Sequence, residues 1–318
     1  MDIQAIIKKF FNKQGSLDVQ AGLTWDDSGI SMALTRGMTG DTPRVEVFQH
    51  VPWKEEVGRS LVLVELAKNH QALRVPYVYC LDMESYSLFP NDAADVPLSE
   101  LAQAMKWAVR DRLDFSVEEA LVDCFFIPDT IRVAASRKVY VAAARKSDVQ
   151  KYLDVIRPTR LELKAVEVTE LALNNIAAFL PESGKGLALL YFPPVGDWGC
   201  LLVCRGGLLY LARRIAVMSK DAMELGIDPG RTLASDVQRS LNYAESNFFN
   251  QPVEILYLIA VPEVDQLLRD SLATHLNVRL KTLHLDFLFQ TAPPGDPVTF
   301  IRGLPALGAA LRSVEATE

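Results

Sequence analysis

The pattern of apolar and polar positions divides most of the chain into two halves, in which the predicted strands and helices follow in a similar order. Strand-like runs at 18–25, 29–36 and 44–51 are joined by turns rich in Asp, Gly, Ser and Thr, and a helical pattern follows at 53–69. Roughly 170 residues later, "GLALLYFPPVGDWGCLLVCRGGLLYLARRIA" contains three more strand-like runs, and the amphipathic "RTLASDVQRSLNYAESNFF" follows. Two copies of strand–strand–strand–helix predict duplicated α/β lobes.

A segment of different character interrupts the first half. Its pattern predicts an amphipathic helix at 97–114, strands at 120–127 and 130–136 with a third candidate at 138–145, and a helix at 147–156. A strand and a helix within 161–180 then return to the first lobe. The predicted units are an N-terminal segment, a first lobe in two parts, an inserted α/β subdomain and a second lobe, at 1–16, 17–81 with 159–184, 82–158 and 185–318.

The N-terminal segment "MDIQAIIKKFFNKQGS" has one apolar stripe at helical spacing, bordered by lysines. The stripe and lysines are Ile3, Ile6, Ile7, Phe10 and Phe11, with Lys8, Lys9 and Lys13. A basic amphipathic helix at the end of an acidic chain suits an anionic membrane surface. The same stripe is equally compatible with packing on the protein's own core.

Composition narrows the classes of function. The chain has 318 residues, 49% hydrophobic and 23% charged, enough for sizeable cores. Its formal charge of −7 gives no general attraction to nucleic acid, and that class of partner is set aside. No apolar run approaches the ~18 residues of a membrane-spanning helix, so any membrane association is expected to be peripheral. Four scattered cysteines are expected to be buried thiols in a reducing cytoplasm: Cys80, Cys124, Cys200 and Cys204.

Four stretches carry a family resemblance through their order and spacing. They are "LSELAQAMKWAVRDRLDFSVEEALVDCFFIPD", "VYVAAARKSDVQKYLDVIRPTRLELKAVEVTELALNNI", "DVQRSLNYAES" and "FIRGLPALGAALR". From about residue 17 to 312 the chain resembles the PilM family of type IV pilus assembly proteins, within the actin-like ATPase superfamily. It is most similar to the MshI branch, which serves the mannose-sensitive haemagglutinin (MSHA) pilus. The resemblance implies an actin-like, ribonuclease H-like duplicated fold with a small α/β subdomain inserted in the first lobe.

The resemblance also implies a partner. In PilM the first lobe and the inserted subdomain form a groove for the cytoplasmic N-terminal peptide of PilN, a single-pass inner-membrane protein. This chain is accordingly expected to bind a PilN-like protein, beside the pilus assembly platform and motor, in the cytoplasm at the inner membrane. Candidate groove walls are Trp107, Arg110 and Asp111, which an ordinary solvated helix face explains equally well.

The family's first phosphate hairpin, approximately "GIDIGSSSIK", corresponds here to "GLTWDDSGIS". On this alignment Thr24 replaces the metal-binding Asp, Asp26 replaces the Gly, and Ser31 replaces the Lys. Asp27 replaces a Ser, and Ser28 completes the altered turn. Two carboxylates facing a phosphate would repel it unless a metal intervened. Asp26 and Asp27 could ligate such a metal, but Asp and Ser before Gly is also an ordinary hairpin turn.

Two further nucleotide elements differ as well. The second hairpin has "YFPP", Tyr191 to Pro194, where the family has "DIGA", and proline lacks an amide donor. After "EILYLI", the Gly-Gly adenosine turn is replaced by Ala260, Val261, Pro262 and Glu263. The sequence thus predicts a vestigial nucleotide site, no cofactor and no ATPase activity. A functional ATP-binding switch or kinase with Mg-ATP is the alternative.

Other motifs carry little chemistry. The four histidines lack metal-ligand spacing and are expected at the surface or as satisfied core residues: His50, His70, His275 and His284. Gly206 and Gly207 predict a hairpin turn rather than a phosphate loop, because no helical pattern follows directly. A weaker alternative is the cytoplasmic actin-like half of a type II secretion component such as GspL, a family that continues into a membrane span. The sequence therefore favours a pilus-assembly scaffold over an enzyme.

Overall fold

The computed structural model describes residues 18–37, 42–53, 58–128, 137–196, 198–216, 229–249 and 251–312. The predicted amphipathic stripe at residues 3–11 and the predicted strand at 130–136 lie outside these ranges.

The first lobe is built on a five-stranded sheet. Its strands are β1 (Val19–Trp25), β2 (Gly29–Arg36), β3 (Arg44–Pro52), β4 (Pro76–Leu81) and β8 (Glu162–Val168). Their order is β3-β2-β1-β4-β8, with antiparallel pairs among the first three and parallel pairs from β1 onward. Two helices belong to the segments that form this lobe, α1 (Arg59–Asn69) and α4 (Thr169–Ala177).

The second lobe repeats this topology. Its strands are β9 (Leu187–Tyr191), β10 (Trp198–Arg205), β11 (Leu208–Ala216), β12 (Ile255–Ile259) and β13 (Arg279–Thr282). Helix α5 (Pro229–Phe248) lies between β11 and β12, and helix α6 (Pro262–His275) lies between β12 and β13. The sheet order is β11-β10-β9-β12-β13, again with three antiparallel strands and two parallel ones. The same order in both sheets confirms the predicted duplication and the actin-like fold class.

The inserted subdomain has a three-stranded sheet. Its strands are β5 (Tyr86–Asp92), β6 (Ala120–Phe126) and β7 (Lys138–Arg145), in the order β5-β7-β6, and its helices are α2 (Leu98–Ala108) and α3 (Lys146–Ile156). The hydropathy pattern did not predict β5, which contains Pro90. Proline is tolerated there because β5 is an edge strand and its outer side needs no amide donor. The helix predicted at 97–114 is shorter, because it ends at Ala108 and a 3₁₀ turn follows at Arg110–Arg112.

The two faces of the subdomain sheet pack on different neighbours. Val139 and Val141 of β7 pack with Leu101 and Met105 of α2. On the other face of the same strand, Ala142 and Ala144 pack in the core of the first lobe, and Tyr140 packs in the core of the second lobe. This alternation follows the two-residue period of a strand. Helix α2 therefore covers the face of the subdomain that points away from the lobes.

The last described helix, α7 (Pro297–Ala310), packs on the first-lobe sheet against β1, β2, β3 and β4. The predicted second lobe at 185–318 thus includes a helix that covers the first-lobe sheet, and Leu304 and Leu307 of this helix also pack in a core that contains second-lobe residues. The contact is close: a Cβ atom at Gly22 of β1 would overlap the carbonyl oxygen of Ala306. The side chain of Gln20 also donates to the carbonyl oxygens of Ala309, at 3.0 Å, and Ala310, at 3.1 Å.

Candidate functional site

A cleft of about 840 Å³ lies between the two lobes. It is lined by both hairpins singled out in the sequence, β1–β2 and β9–β10, and by residues that follow β4. The cleft thus contains the first two altered nucleotide elements, Thr24 to Ser31 and Tyr191 to Pro194. Its charged side chains are of both signs.

Thr24, at the position of the metal-binding Asp, is committed to the fold. Its side chain is buried, and its hydroxyl donates to the Cys80 carbonyl oxygen of the neighbouring strand β4 at 3.0 Å. Ser31, at the position of the Lys, is also buried, and its hydroxyl lies 3.0 Å from His50 Nδ1. Neither residue presents a charge to the cleft.

Asp26 is held within its own turn. Its Oδ1 accepts hydrogen bonds from the backbone amides of Ser28, at 2.8 Å, and Gly29, at 3.3 Å, and from the Ser28 hydroxyl. Its Oδ2 lies 3.5 Å from Arg302 Nε of α7, and Arg302 also contacts the Ser28 hydroxyl. This is an Asx turn closed by an ion pair.

Asp27 is fully exposed and lies 3.9 Å from the Arg59 guanidinium. Of the two interpretations left open by the sequence, these contacts fit the ordinary hairpin turn. Both carboxylates line the cleft, with Asp26 paired to Arg302 and Asp27 exposed to solvent.

Arg302 lines this end of the cleft, and His50 contacts Ser28 and Ser31 there. Burial and the Arg302 charge lower the pKa of His50 below its ordinary value, so the neutral imidazole is favoured. The sequence analysis assigned neither residue to the site. Arg302 lay within the quoted "FIRGLPALGAALR" stretch, but nothing in its spacing indicated contact with a turn 274 positions away.

The second hairpin is closed by apolar side chains. Phe192 is buried, and its amide donates to the Ile259 carbonyl oxygen of β12 at 2.8 Å. Pro193 and Pro194 follow on the cleft wall, where they offer no amide hydrogen to a ligand. Val195, next in the turn, is largely exposed.

The third altered element borders a separate pocket of about 510 Å³ on the second lobe. Ala260 and Pro262 line it, together with His284 and Phe300. Pro262 begins α6, so the expected Gly-Gly turn is replaced by a direct entry from β12 into a helix. A purine would meet a proline ring at this point rather than exposed backbone.

A buried polar cluster joins the lobes at the base of the cleft. The Tyr86 hydroxyl donates to the Glu170 carboxylate and accepts the Thr169 amide at 3.0 Å. Burial raises the pKa of Glu170, while the Tyr86 hydrogen bond opposes this shift. Arg214 of the second lobe donates to the carbonyl oxygens of Met83 and, at 2.5 Å, Tyr86. The carboxylate at the cleft floor is thus used for structure.

A second concavity lies between the first lobe and the inserted subdomain. It is a small, partly open groove with about 20 Å³ of free space in all, which is room for about one water molecule, and most of its lining residues are buried. Strands β6 and β8 both line it, and each is the last strand of its sheet among the described residues. The groove lining is otherwise apolar apart from Tyr86 and Asp123, and its ten residues are Leu81, Tyr86, Leu121, Asp123, Ala142, Ala143, Ala144, Val149, Val166 and Val168.

Asp123 is the titratable carboxylate of this groove. Its Oδ1 accepts the Cys124 amide at 2.8 Å. Burial raises the pKa of Asp123 to about 7, although that hydrogen bond and the positive charge of Arg312 both oppose the shift. The sequence analysis did not select Asp123, because one acidic residue within a strand pattern gives no sign of which face it occupies.

The predicted groove walls occupy a different surface. Trp107, at 49% exposure, belongs to α2, and Arg110 and Asp111 form an exposed ion pair of 3.2 Å in the 3₁₀ turn after it. Helix α2 covers the outward face of the subdomain sheet, and these three residues do not line the groove beside the first lobe. All eight predicted membrane-contact residues lie outside the described ranges.

The described part of the chain contains no group of three or more His, Cys, Asp or Glu side chains arranged to hold a metal ion. None of its helices combines the length and apolar character needed to span a bilayer. The thiols of Cys80, Cys200 and Cys204 are buried, and Cys124 is half-buried.

Comparisons with known proteins agree with this architecture. No family model matches the chain, and no curated protein matches it significantly. Among solved structures, the "PilM-PilN type IV pilus biogenesis complex" matches 95% of this chain and 100% of its own, with 20% identity and a TM-score of 0.69. The similarity to PilM inferred from the motifs is confirmed as a similarity of fold over nearly the whole chain.

Two more distant structures also match. A Bacteroides thetaiotaomicron protein with an actin-like ATPase fold is 12% identical, covers 83% of this chain and 91% of its own, and has a TM-score of 0.47. The cytoplasmic domain of Vibrio cholerae EpsL, an inner-membrane component of type II secretion, is 14% identical, covers 80% and 95%, and has a TM-score of 0.47.

Proposed function

We propose that this chain is an actin-like scaffold of type IV pilus assembly that binds the N-terminal cytoplasmic peptide of a PilN-like membrane protein. The observation that carries the proposal is the groove between β6 and β8, since it joins the first lobe to the inserted subdomain. The structural similarity to the PilM–PilN complex supports a peptide partner at a fold of this kind.

The groove has the physical properties of an extended-peptide site. A terminal strand presents unpaired backbone N–H and C=O groups, and an added peptide strand can satisfy them. Here two terminal strands line one groove, so a peptide could pair with either edge. Leu121 and Ala142, which are half-buried at the open side of the groove, would contact apolar side chains of that peptide. Because the free space is so small, the peptide would lie along this open side rather than fill the groove.

We propose further that the nucleotide site is vestigial and that the chain is not an ATPase. Three features support this. Thr24 is hydrogen-bonded to the Cys80 carbonyl oxygen, and Asp26 is hydrogen-bonded within its turn and ion-paired with Arg302. The second turn contains two prolines. An ATP phosphate would have to displace the Arg302 contacts, and the prolines would give it no amide hydrogens in return. The alternative, an ATP-driven switch, requires these elements to rearrange.

Calorimetry with millimolar Mg-ATP tests the vestigial site. We expect no binding heat, and no rise in melting temperature, because a ligand present far above its dissociation constant would stabilise the native state. A dissociation constant in the low micromolar range would contradict this part of the proposal and support the ATP-driven switch.

We also propose that the protein acts at the inner membrane, beside the assembly platform and motor of an MSHA-type pilus. The predicted stripe from Ile3 to Phe11 and its lysines would add a direct membrane contact, with each lysine contributing ~1 kcal/mol near an anionic surface. Deleting residues 1–14 is expected to abolish salt-sensitive binding to anionic liposomes without lowering the melting temperature. A loss of several kcal/mol of stability, with no liposome binding by the full chain, would instead indicate that the stripe packs on the core.

The direct test of the scaffold proposal uses a synthetic peptide. It would match the N-terminal cytoplasmic segment of the PilN-like protein encoded with this chain, and a scrambled peptide would be its control. We expect saturable binding by calorimetry, together with a higher melting temperature of the full chain. Equal results with the two peptides, or no binding by either, would refute the proposal.

A further inference from the structure

We infer that Asp123 binds a cationic group of the partner peptide at this groove, either a Lys or Arg side chain or the peptide's amino terminus. This inference rests on the proposed peptide-binding function and specifies the chemistry of the partner at that site. Asp123 lies within the first of the four family stretches but was assigned no role from the sequence, and it is not part of the nucleotide elements.

The register of β6 aims Asp123 at the groove. Val122, Cys124 and Phe126 pack with the cluster under α2, on the outward face of the subdomain sheet. Leu121 and Asp123 alternate with them and line the groove that faces the first lobe. Asp123 is therefore an acidic residue on the inward face of a terminal strand, where the other lining residues are apolar or, like Tyr86, already engaged.

The described surroundings of Asp123 contain no ion pair for it. Its observed hydrogen bond comes from the adjacent Cys124 amide. Tyr86, the other polar residue of the lining, donates its hydroxyl to Glu170. Arg312 attracts Asp123 through space, but its described ion pair, at 3.9 Å, is with the buried Glu167.

A half-buried carboxylate among apolar side chains is costly unless a cation or hydrogen-bond donors compensate it. A peptide cation entering the groove would supply this compensation. The groove itself has room for about one water molecule, so the cationic group would meet Asp123 at the open side, where Leu121, Asp123 and Ala142 are half-buried. The complementarity is thus one of charge, and it excludes an acidic residue at this point of the peptide.

The test is a double-mutant cycle by calorimetry, with the full chain and the synthetic PilN-like peptide. The protein variants are wild type, Asp123→Asn and, as the matched control, Asp111→Asn, which removes an exposed carboxylate on the outward side of the subdomain. The peptide variants are the native sequence, an Nα-acetylated form, and forms with each Lys or Arg replaced by norleucine. The acetylated and norleucine peptides distinguish the amino terminus from a side chain as the source of the cation.

We expect Asp123→Asn to weaken native-peptide binding at least about tenfold and Asp111→Asn to leave it unchanged. One of the cation-free peptides should bind wild type more weakly than the native peptide does, by a similar factor. The same peptide change should weaken binding to Asp123→Asn very little further, since the protein change and the peptide change remove the same contact. Unchanged melting behaviour at low pH would show that Asp123→Asn is folded.

The outcomes separate the two proposals. If wild type binds the native peptide and Asp123→Asn binds it equally well, the cation-binding role is refuted and the scaffold proposal stands. The same holds if every cation-free peptide binds wild type as tightly as the native one. If wild type binds no peptide, the scaffold proposal fails and the role of Asp123 fails with it.

Discussion

Asp26 illustrates how one side chain can change from a ligand-facing position to a structural one. Its carboxylate accepts two backbone amides of its own turn and pairs with Arg302, which approaches from the far end of the chain. The local part of this arrangement was predictable, because Asp and Ser before Gly is a turn signal. The ion pair was not, because no local pattern encodes a contact between residues so distant in sequence.

Replacing Arg302 tests the importance of that ion pair. We expect Arg302→Ala to lower the free energy of unfolding by about 1–3 kcal/mol, because it leaves a partly buried carboxylate without its cation. Urea denaturation at pH 7 measures the effect. The control is Arg36→Ala, which removes an exposed ion pair with Glu46 and should cost less than about 1 kcal/mol. Equal losses in the two variants would mean that the Arg302 contact has no special role.

Asp123 gives a prediction about pH. Burial raises its pKa to about 7, so the native state retains a proton that the unfolded state releases near pH 4. The unfolding free energy of wild type should therefore fall as pH rises from about 4 to 7, and level off above that range. Asp123→Asn removes this loss, so its melting temperature should exceed that of wild type at pH 8 and match it near pH 4.

Glu167 has a pKa of about 7 for the same reason and titrates over the same range in both proteins. The difference between the two pH profiles thus isolates Asp123. Parallel profiles for wild type and Asp123→Asn would show that the Asp123 carboxylate is already compensated in the folded protein.

At the scale of elements, the hydropathy pattern predicted most strands well, including the edge strands β3 and β6, but it missed β5. β1, β2 and β7 match their predicted spans closely, because alternation or continuous burial marks a strand wherever a core covers it. β5 was missed because its Pro90 is compatible only with an edge, and edge status depends on the assembled sheet. The docking of α7 on the first lobe was likewise not visible locally, since an apolar helix does not indicate which sheet it covers.

The contact between α7 and β1 gives a prediction at this scale. Gly22→Ala should destabilise the protein by about 3 kcal/mol or more, because the added methyl group would overlap the Ala306 backbone and neither element can move alone. Gly295→Ala, in an open loop, is the control and should change stability by less than about 1 kcal/mol. Chemical denaturation of both variants decides the matter, and a Gly22→Ala protein as stable as the control would contradict the close packing.

At the scale of the whole molecule, direct side-chain contacts join the second lobe to the inserted subdomain and to the turn that precedes it. Arg214 reaches from β11 to two carbonyl oxygens before and at the start of β5. The Tyr140 hydroxyl accepts the Ala212 amide of the second lobe at 2.7 Å and donates to its carbonyl oxygen at 3.3 Å. The duplication itself was predictable from the repeated strand pattern. These contacts were not, because they depend on how the two lobes are placed.

Loosening this junction should be measurable. Arg214→Ala is expected to cost about 2 kcal/mol and to increase amide hydrogen exchange in β5 and β11, because buried carbonyl groups lose a charged donor. Arg213→Ala is the adjacent control, since Arg213 is exposed and donates to Ser240 within its own lobe. Identical exchange in the two variants would show that the junction does not depend on Arg214.

Because α7 covers one face of the first-lobe sheet, the order in which the ribosome releases the chain matters for folding. Strands β1 and β2 emerge early, yet the helix that covers them ends at Ala310. At typical rates of synthesis, roughly 15 to 60 s separate the two events. During that interval the sheet face that α7 covers stays open, and on β1 and β2 this face carries small and polar residues, including Gln20, Gly22 and Thr35. The bonds of Gln20 and Thr35 to the α7 backbone can therefore form only when translation is nearly finished.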